Sequence, residues 1–231
     1  EKCPWDSKQT NETLRYLTIE ETYELSDAIL KNDNIEIKKE LGDLLLHIIF
    51  YSKIADENGY FNIVDVINSI CSKLINRHPH IYSNIKADDE ETVKSNWEKI
   101  KINEGNKSVL AGVSSSLPSI IKSCRIQEKA RGIGFDWENI NQVKQKVIEE
   151  IEELKTEIEN LEKKNSDNSK DKIENEFGDL LFALINYARF LKIDPDTALE
   201  KTNNKFNKRF KYMEQQIIND GKNISEMSLK E

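Results

Sequence analysis

Apolar residues recur at helical spacing in Leu41, Leu44, Leu45, Ile48 and Ile49, and again in Val143, Val147, Ile151, Leu154 and Ile158. That spacing returns to one face of a 3.6-residue repeat, whereas the strict alternation of a half-buried strand is hard to find at strand length. The pattern predicts an all-α protein with long helices over 12–31, 36–58, 62–77, 139–163, 171–192 and 195–219. Asp33 and Asn34 interrupt the first pair, and Asp194-Pro195 supplies a cap and a first-turn proline for the last helix. The polar run from Lys163 to Lys170 reads as a solvated loop. Periodicity is weakest between Asn103 and Pro118, where Gly105, Gly112 and Ser114 to Ser116 fall. The expected organisation is therefore a module over 1–104, a linker and connecting helix over 105–130, and a second module over 131–231.

The chain also resembles itself. When Glu40 is laid on Glu176, the block Glu40-Leu-Gly-Asp43-Leu-Leu falls on Glu176-Phe-Gly-Asp179-Leu-Leu, and Tyr51 falls on Tyr187. Upstream, Glu20-Glu21-Thr-Tyr-Glu24-Leu matches Glu149-Glu150-Ile-Glu-Glu153-Leu. Downstream, Lys73-x3-Arg77 matches Lys205-x3-Arg209. Trp5 and Trp137 precede the two acidic blocks at comparable distances. Four ordered blocks recurring together point to two copies of one module.

Each copy concentrates carboxylates. Residues three apart share a helix face, so Glu21 with Glu24 and Glu40 with Asp43 aim two pairs at one point between neighbouring helices. A lone Glu-x-x-Glu on a charged helix is ordinarily a solvated face. Here Leu44, Leu45, Leu180 and Leu181 follow at once and set the carboxylates beside apolar positions. Four such groups repel one another unless protons or a divalent cation lie between them, and an all-oxygen set suits Mg²⁺, with Mn²⁺ as a substitute. Gly42 and Gly178, each costing about 1 kcal/mol in a helix interior relative to Ala, predict a close helix approach beside the cluster.

Composition narrows the reading further. With 33% charged residues and a net charge of −8, the chain lacks the basic face that non-specific nucleic-acid binding needs. No apolar run reaches the roughly 20 residues of a membrane span, and no signal peptide is visible. The three cysteines, Cys3, Cys71 and Cys124, are odd in number and far apart, which fits free thiols in a reducing, cytoplasmic setting.

Taken with these blocks, Cys3-Pro4-Trp5-Asp6, Gln9-Thr10, Arg77-His78-Pro79-His80, Leu117-Pro118 and Gly134-Phe135-Asp136-Trp137 make the chain resemble the MazG family of nucleotide pyrophosphohydrolases over nearly its whole length. The resemblance implies a tandem, all-α protein whose sites are completed in an intertwined homodimer. It implies Mg²⁺-dependent cleavage of ribo- or deoxyribonucleoside triphosphates to monophosphate and pyrophosphate, for pool cleaning or for control of a signalling nucleotide. Carried over, the metal ligands and catalytic groups are Glu150, Glu153, Glu176 and Asp179, with first-copy counterparts Glu21, Glu24, Glu40 and Asp43. Lys146, Lys205 and Arg209 are assigned to the triphosphate, and Phe135, Trp137, Phe182 and Tyr187 are aromatic candidates for gripping the base. A carboxylate of the cluster, or Glu149 beside it, takes the proton of the attacking water.

The copies differ where Leu17 stands in the position of Lys146, so the second copy is expected to carry most of the hydrolysis. Asn11 stands where the family commonly has His. The chain ends before a Trp- and Lys-containing tail that many relatives place against the base, and it begins at Glu1 rather than at Met, so a trimmed N-terminal region is expected. Alternatives are a specialised dUTP or phosphoribosyl-ATP pyrophosphohydrolase, or a nucleotide-binding regulatory or dimerisation protein with little turnover. A di-iron carboxylate bundle is disfavoured because it needs Glu-x-x-His pairs, whereas Asp43 and Asp179 occupy those positions and His47 lies a turn too late. His78 and His80, flanking Pro79, are expected to cap or pack a helix end.

Overall fold

The computed structural model describes residues 3–83, 89, 92–93, 96–97, 100–101, 108–164 and 168–221, with the side chains of 162–164 and 168–169 outside that description. The chain divides into two units, Glu1–Val93 and Lys94–Glu231. Among the described residues the regular structure is helical, as the periodicity predicts, and no helix is long and apolar enough to cross a membrane.

In the first unit a 3-10 turn, Asp6–Lys8, leads into α1 (Asn11–Lys31). Thr10 and Thr13 form a reciprocal capping box: the Thr13 amide donates to Thr10 Oγ1 (3.2 Å) and the Thr10 amide to Thr13 Oγ1 (2.9 Å). Asn32 ends α1 in the left-handed region (φ 54°), a conformation Asn tolerates better than most residues. Asp33 then caps α2 (Asn34–Glu57), accepting from the amides of Ile35 (3.1 Å) and Glu36 (3.2 Å). This short turn folds α2 back against α1, and a Thr18–Tyr51 hydroxyl hydrogen bond (2.8 Å) joins them. An Asn62/Asp65 box starts α3 (Ile63–Arg77), and Pro79 opens the short α4 (Pro79–Tyr82).

The second unit contains α5 (Ser119–Gly132), α6 (Ile140–Lys164), α7 (Asn168–Phe190) and α8 (Pro195–Asn219). Helices α6 and α7 form its main pair, α5 lies against α7, and α8 touches both α5 and α7. The expected cap on α8 is present: Asp194 accepts from the Thr197 amide at 2.7 Å, with Pro195 at the first turn. The loop expected over Lys163 to Lys170 is shorter than the polar composition implied. Helix α6 continues through Lys164 and α7 starts at Asn168, with Asp171 in its first turn favouring that helix end; residues 165–167 lie outside the described residues. The same holds for 102–107 in the weakly periodic stretch, whose described part, 108–118, runs in turns into α5.

One expectation about packing is overturned. A Cβ placed on Gly42 or Gly178 meets nothing within 4 Å, so neither glycine marks a close helix approach within the chain. The apolar stripe of α2 is also not its buried face. Glu40, His47, Ser52 and Ala55 are buried on that helix, while Leu41, Leu45, Leu46, Ile48 and Ile49 are exposed. The same holds on α7, where Phe177, Leu181 and Leu184 are exposed and Ala183 and Ile185 are buried. Helical spacing reports a face that must leave water, but not what covers it.

Candidate active site

Helix pairing brings three carboxylates together in each unit. In the first unit α1 supplies Glu21 and Glu24, and α2 supplies Glu40. One carboxylate oxygen from each lies within 4.8 Å of the others. Asp43 stands outside this triplet, though its charge acts on Glu21. Glu40 is only 2% exposed. Its Oε1 receives Lys39 Nζ at 2.9 Å, and its Oε2 has no hydrogen-bond partner. The donor on Lys39 holds the Glu40 carboxyl below the usual carboxylate range. Burial, a hydrogen bond with Glu40, and the charges of Asp43 and Glu24 push Glu21 above it. The two shifts run in opposite directions, so within the cluster Glu21 binds a proton more readily than Glu40.

In the second unit Glu150 on α6 meets Glu176 and Asp179 on α7, again with oxygens within 4.8 Å of one another. Glu150 is 5% exposed. Here the exposed Glu153 falls outside the triplet. Burial first, then the charge of Glu150, raises the Glu153 carboxyl above its ordinary range. Lys146 donates to Glu149 Oε1 at 2.7 Å and pairs with Glu150 Oε1 at 2.8 Å, contacts that raise its own proton affinity.

The donor sets fit a hard divalent cation. Each offers three carboxylates from two helices and includes one nearly buried glutamate, and in the first unit the buried Oε2 of Glu40 lacks any donor. A buried acceptor with no partner is costly, and a cation bound there would satisfy it.

A second lysine adds to the contrast between the copies. Leu17 does stand in place of Lys146, but Lys39 reaches the first cluster from the other helix, where the second copy has Asn175. Each cluster thus has one lysine on a buried glutamate, supplied from opposite helices. Sequence reasoning missed Lys39 although it adjoins Glu40, because the comparison followed only the position before the first acidic pair. It also missed that buried His47 is matched by buried Ala183.

Lys205 and Arg209 lie one turn apart on the exposed face of α8, in a groove with Asn204, Lys208 and Tyr212. Neither is paired with the carboxylates among the described residues. Their counterparts Lys73 and Arg77 lie on α3, and His78 ends that helix with Nδ1 2.6 Å from the Leu74 carbonyl. Phe135, Trp137 and Phe182 line a cavity of about 630 Å³ in the second unit, while Tyr187 lies outside it. Asp136 fixes one side of that cavity through a two-pronged ion pair with Arg189 (Nη1 to Oδ2 2.8 Å), and Arg189 also donates to Asn186.

A sequence profile of the MazG nucleotide pyrophosphohydrolase domain matches residues 9–82 and 138–213. The chain is 41% identical to a nucleoside triphosphate pyrophosphohydrolase/pyrophosphatase of Thermotoga maritima, across 99% of this chain and 86% of that one. It is 38% identical to a nucleoside triphosphate pyrophosphohydrolase of Escherichia coli K12, across 98% of this chain and 86% of the relative. It is also 42% identical to an uncharacterized Bacillus subtilis protein, YabN, of which it covers 46%.

Proposed function

The chain belongs to the MazG nucleotide pyrophosphohydrolase family, and from that premise we propose that the second unit carries the main hydrolytic site, with Mg²⁺ as its metal. The chain hydrolyses nucleoside triphosphates to monophosphate and pyrophosphate, the activity named for relatives matched along almost its full length. The observation that carries the assignment is the convergence of Glu150, Glu176 and Asp179 with Lys146 against their rim.

Glu150, Glu176 and Asp179 would hold the cation, with the exposed Glu153 beside the set. Bound there, Mg²⁺ supplies Lewis-acid polarisation of phosphate oxygens and an activated water. Lys146 exchanges a carboxylate contact for a phosphate oxygen, and Lys205 and Arg209 neutralise the remaining triphosphate charge. Water attacks the α-phosphorus, its oxygen forming the new P–O bond as the bond from that phosphorus to the α,β-bridging oxygen breaks. The electron pair of that bond leaves with pyrophosphate. Glu153, whose raised proton affinity suits the task, takes the water's proton, with Glu149 as the neighbouring alternative. The first unit, with Glu21, Glu24, Glu40 and Asp43, is a second metal site with weaker turnover. Mn²⁺ replaces Mg²⁺ in either.

The protein acts as a homodimer in this reading. Leucines and isoleucines along α2 and α7 lie exposed in the protomer beside Gly42 and Gly178, and a second copy covering those faces accounts for both features. The modules remain 1–104 and 131–231 joined by 105–130, working on the free nucleotides of a reducing cytoplasm, where free Cys3, Cys71 and Cys124 persist. Pyrophosphate release from a mixture of nucleoside triphosphates, with and without Mg²⁺, tests the assignment. Release that needs the divalent metal supports it, and no release with any divalent metal removes it.

A further inference from the structure

Neither family-matched stretch includes α5 or the segment that leads into it, yet that segment forms a wall of the second unit's cavity. Residues 108–118 run in short turns, with the amides of Ala111, Val113 and Leu117 each donating to the carbonyl three residues back. Gly112, at φ 81°, bends the chain through the left-handed region. None of these residues is fully buried, and Leu110 is 44% exposed. Such turns shape a segment but do not hold it against anything. Val109 and Leu110 nonetheless line the cavity together with Phe135, Trp137 and Phe182.

Helix α5 holds the segment in place. Lys129 is only 5% exposed. Its Nζ donates to the carbonyl of Ala111 at 2.9 Å and to that of Val109 at 3.2 Å. Lys122, seven residues earlier on nearly the same helix face, donates from Nζ to the Ser115 carbonyl at 2.6 Å. The segment therefore runs back along α5, clamped by lysines about 10.5 Å apart along the helix axis. A buried ammonium is costly unless acceptors take up its protons, and the carbonyls of Val109 and Ala111 do so. The burial of Lys129 and the place of the cavity wall thus depend on one another. Between the two lysines, Gln127 donates from Nε2 to the Phe182 carbonyl at 2.9 Å, which ties α5 to the helix that carries Glu176 and Asp179.

We propose that Lys129 is a positioning residue for substrate binding: its ammonium pins the segment 108–118 to α5 and so keeps Val109 and Leu110 in place as a wall of the cavity. The inference rests on the pyrophosphohydrolase reading and adds a residue that touches neither the metal ligands nor the substrate. Loss of the clamp loosens the grip on the nucleotide and leaves the carboxylates, and with them the chemical step, as they are. Lys122 fixes only the far end of the segment, since Ser115 is not part of the cavity lining.

The test pairs amide hydrogen exchange of the full chain, read by mass spectrometry, with steady-state pyrophosphate release in Mg²⁺ for Lys129→Met, Lys129→Arg and Lys122→Met. Lys129→Met keeps the reach of the side chain and removes its donors. It should speed exchange over 109–113 by about tenfold or more while α6 and α7 stay as they are. It should also raise KM for nucleoside triphosphates by about fivefold or more at an unchanged kcat. Lys129→Arg, which keeps charge and donors, should recover part of both losses. Lys122→Met should speed exchange over 115–117 only and leave KM where it is. Unchanged exchange over 109–113 in Lys129→Met overturns the inference, and so does faster exchange there with an unchanged KM. A fall in kcat alongside the rise in KM, or faster exchange throughout α6 and α7, also overturns it, because Lys129 would then support the whole unit. Absence of turnover in the unaltered protein removes the hydrolase reading and this one with it, whereas turnover with the same KM in Lys129→Met removes this one alone.

Discussion

The two units place the same acidic groups between the same pair of helices yet balance their charge differently. In the first, Lys39 contacts Glu40 from the adjacent position in the chain, and the proton affinity of Glu21 is raised. In the second, Lys146 reaches Glu150 from one turn away and is shared with Glu149. A lysine adjacent in sequence to its partner is tied to it, whereas one a turn away can exchange a carboxylate for a phosphate. The comparison teaches that neither acidic residues nor a nearby lysine separates a hydrolytic site from a structural one. In the proposed reading, what separates them is which helix carries the lysine and what lies along the partner helix. On α7 that is small Ala183 and then the aromatic cavity, and on α2 it is buried His47.

The largest effect is expected from the carboxylates. Glu150→Gln should lower kcat by ~100-fold or more, the scale for losing a group that stabilises transition-state charge, while Glu21→Gln should leave most turnover intact. Steady-state pyrophosphate release from the two variants would show it, and equal losses would erase the distinction between the units. Next comes the lysine. Lys146→Ala should reduce kcat/KM by roughly tenfold or more, as expected for a charged hydrogen bond of about 1.5–3 kcal/mol. Lys39→Ala should change turnover little and instead raise the proton affinity of Glu40, whose ionisation depends first on that lysine.

The protonation of the first cluster gives a pH signature. Glu21 faces Glu24, Glu40 and Asp43, with Lys39 held on Glu40, and its raised proton affinity means the folded state binds that proton more tightly than the unfolded chain. Its contribution to stability is therefore present at low pH and lost as pH rises through its raised pKa. A divalent cation replaces that proton, so its affinity should climb as pH rises above the ordinary carboxylate range. Thermal shifts with and without Mg²⁺ across pH should diverge upward, and Glu21→Gln should flatten the divergence. The smallest effect concerns the open glycines. Gly178→Ala should favour the isolated helix by about 1 kcal/mol but weaken self-association in sedimentation. Unchanged association would leave that face without a second copy.

Much of this was legible in the chain. Asp194 marked a helix start that the structure reproduces, because a cap is a local hydrogen bond between near neighbours, while Asp33, expected only as a break, caps a helix that starts two residues before the expected 36. The repeat placed six of the eight expected carboxylates in two triplets, since i,i+3 spacing survives any packing. Asp43 and Glu153 fall outside because spacing gives the face of a helix but not its rotation against its partner. Lys39 was missed for a related reason: a neighbour in sequence points elsewhere on an ideal helix, and only a long flexible side chain brings its ammonium back. The exposed stripe of α2 was invisible in principle, because periodicity cannot distinguish a face buried within the chain from one left for another molecule.

The measurement that bears most directly on the central claim is phosphorus resonance spectroscopy of the products formed from mixed nucleoside triphosphates in Mg²⁺. It would compare the unaltered protein with Glu176→Gln and Glu40→Gln. The account predicts monophosphate and pyrophosphate from the unaltered protein and from Glu40→Gln, and at most the weak turnover of the first unit from Glu176→Gln. Diphosphate and orthophosphate as products, or loss of turnover in Glu40→Gln alone, would contradict it.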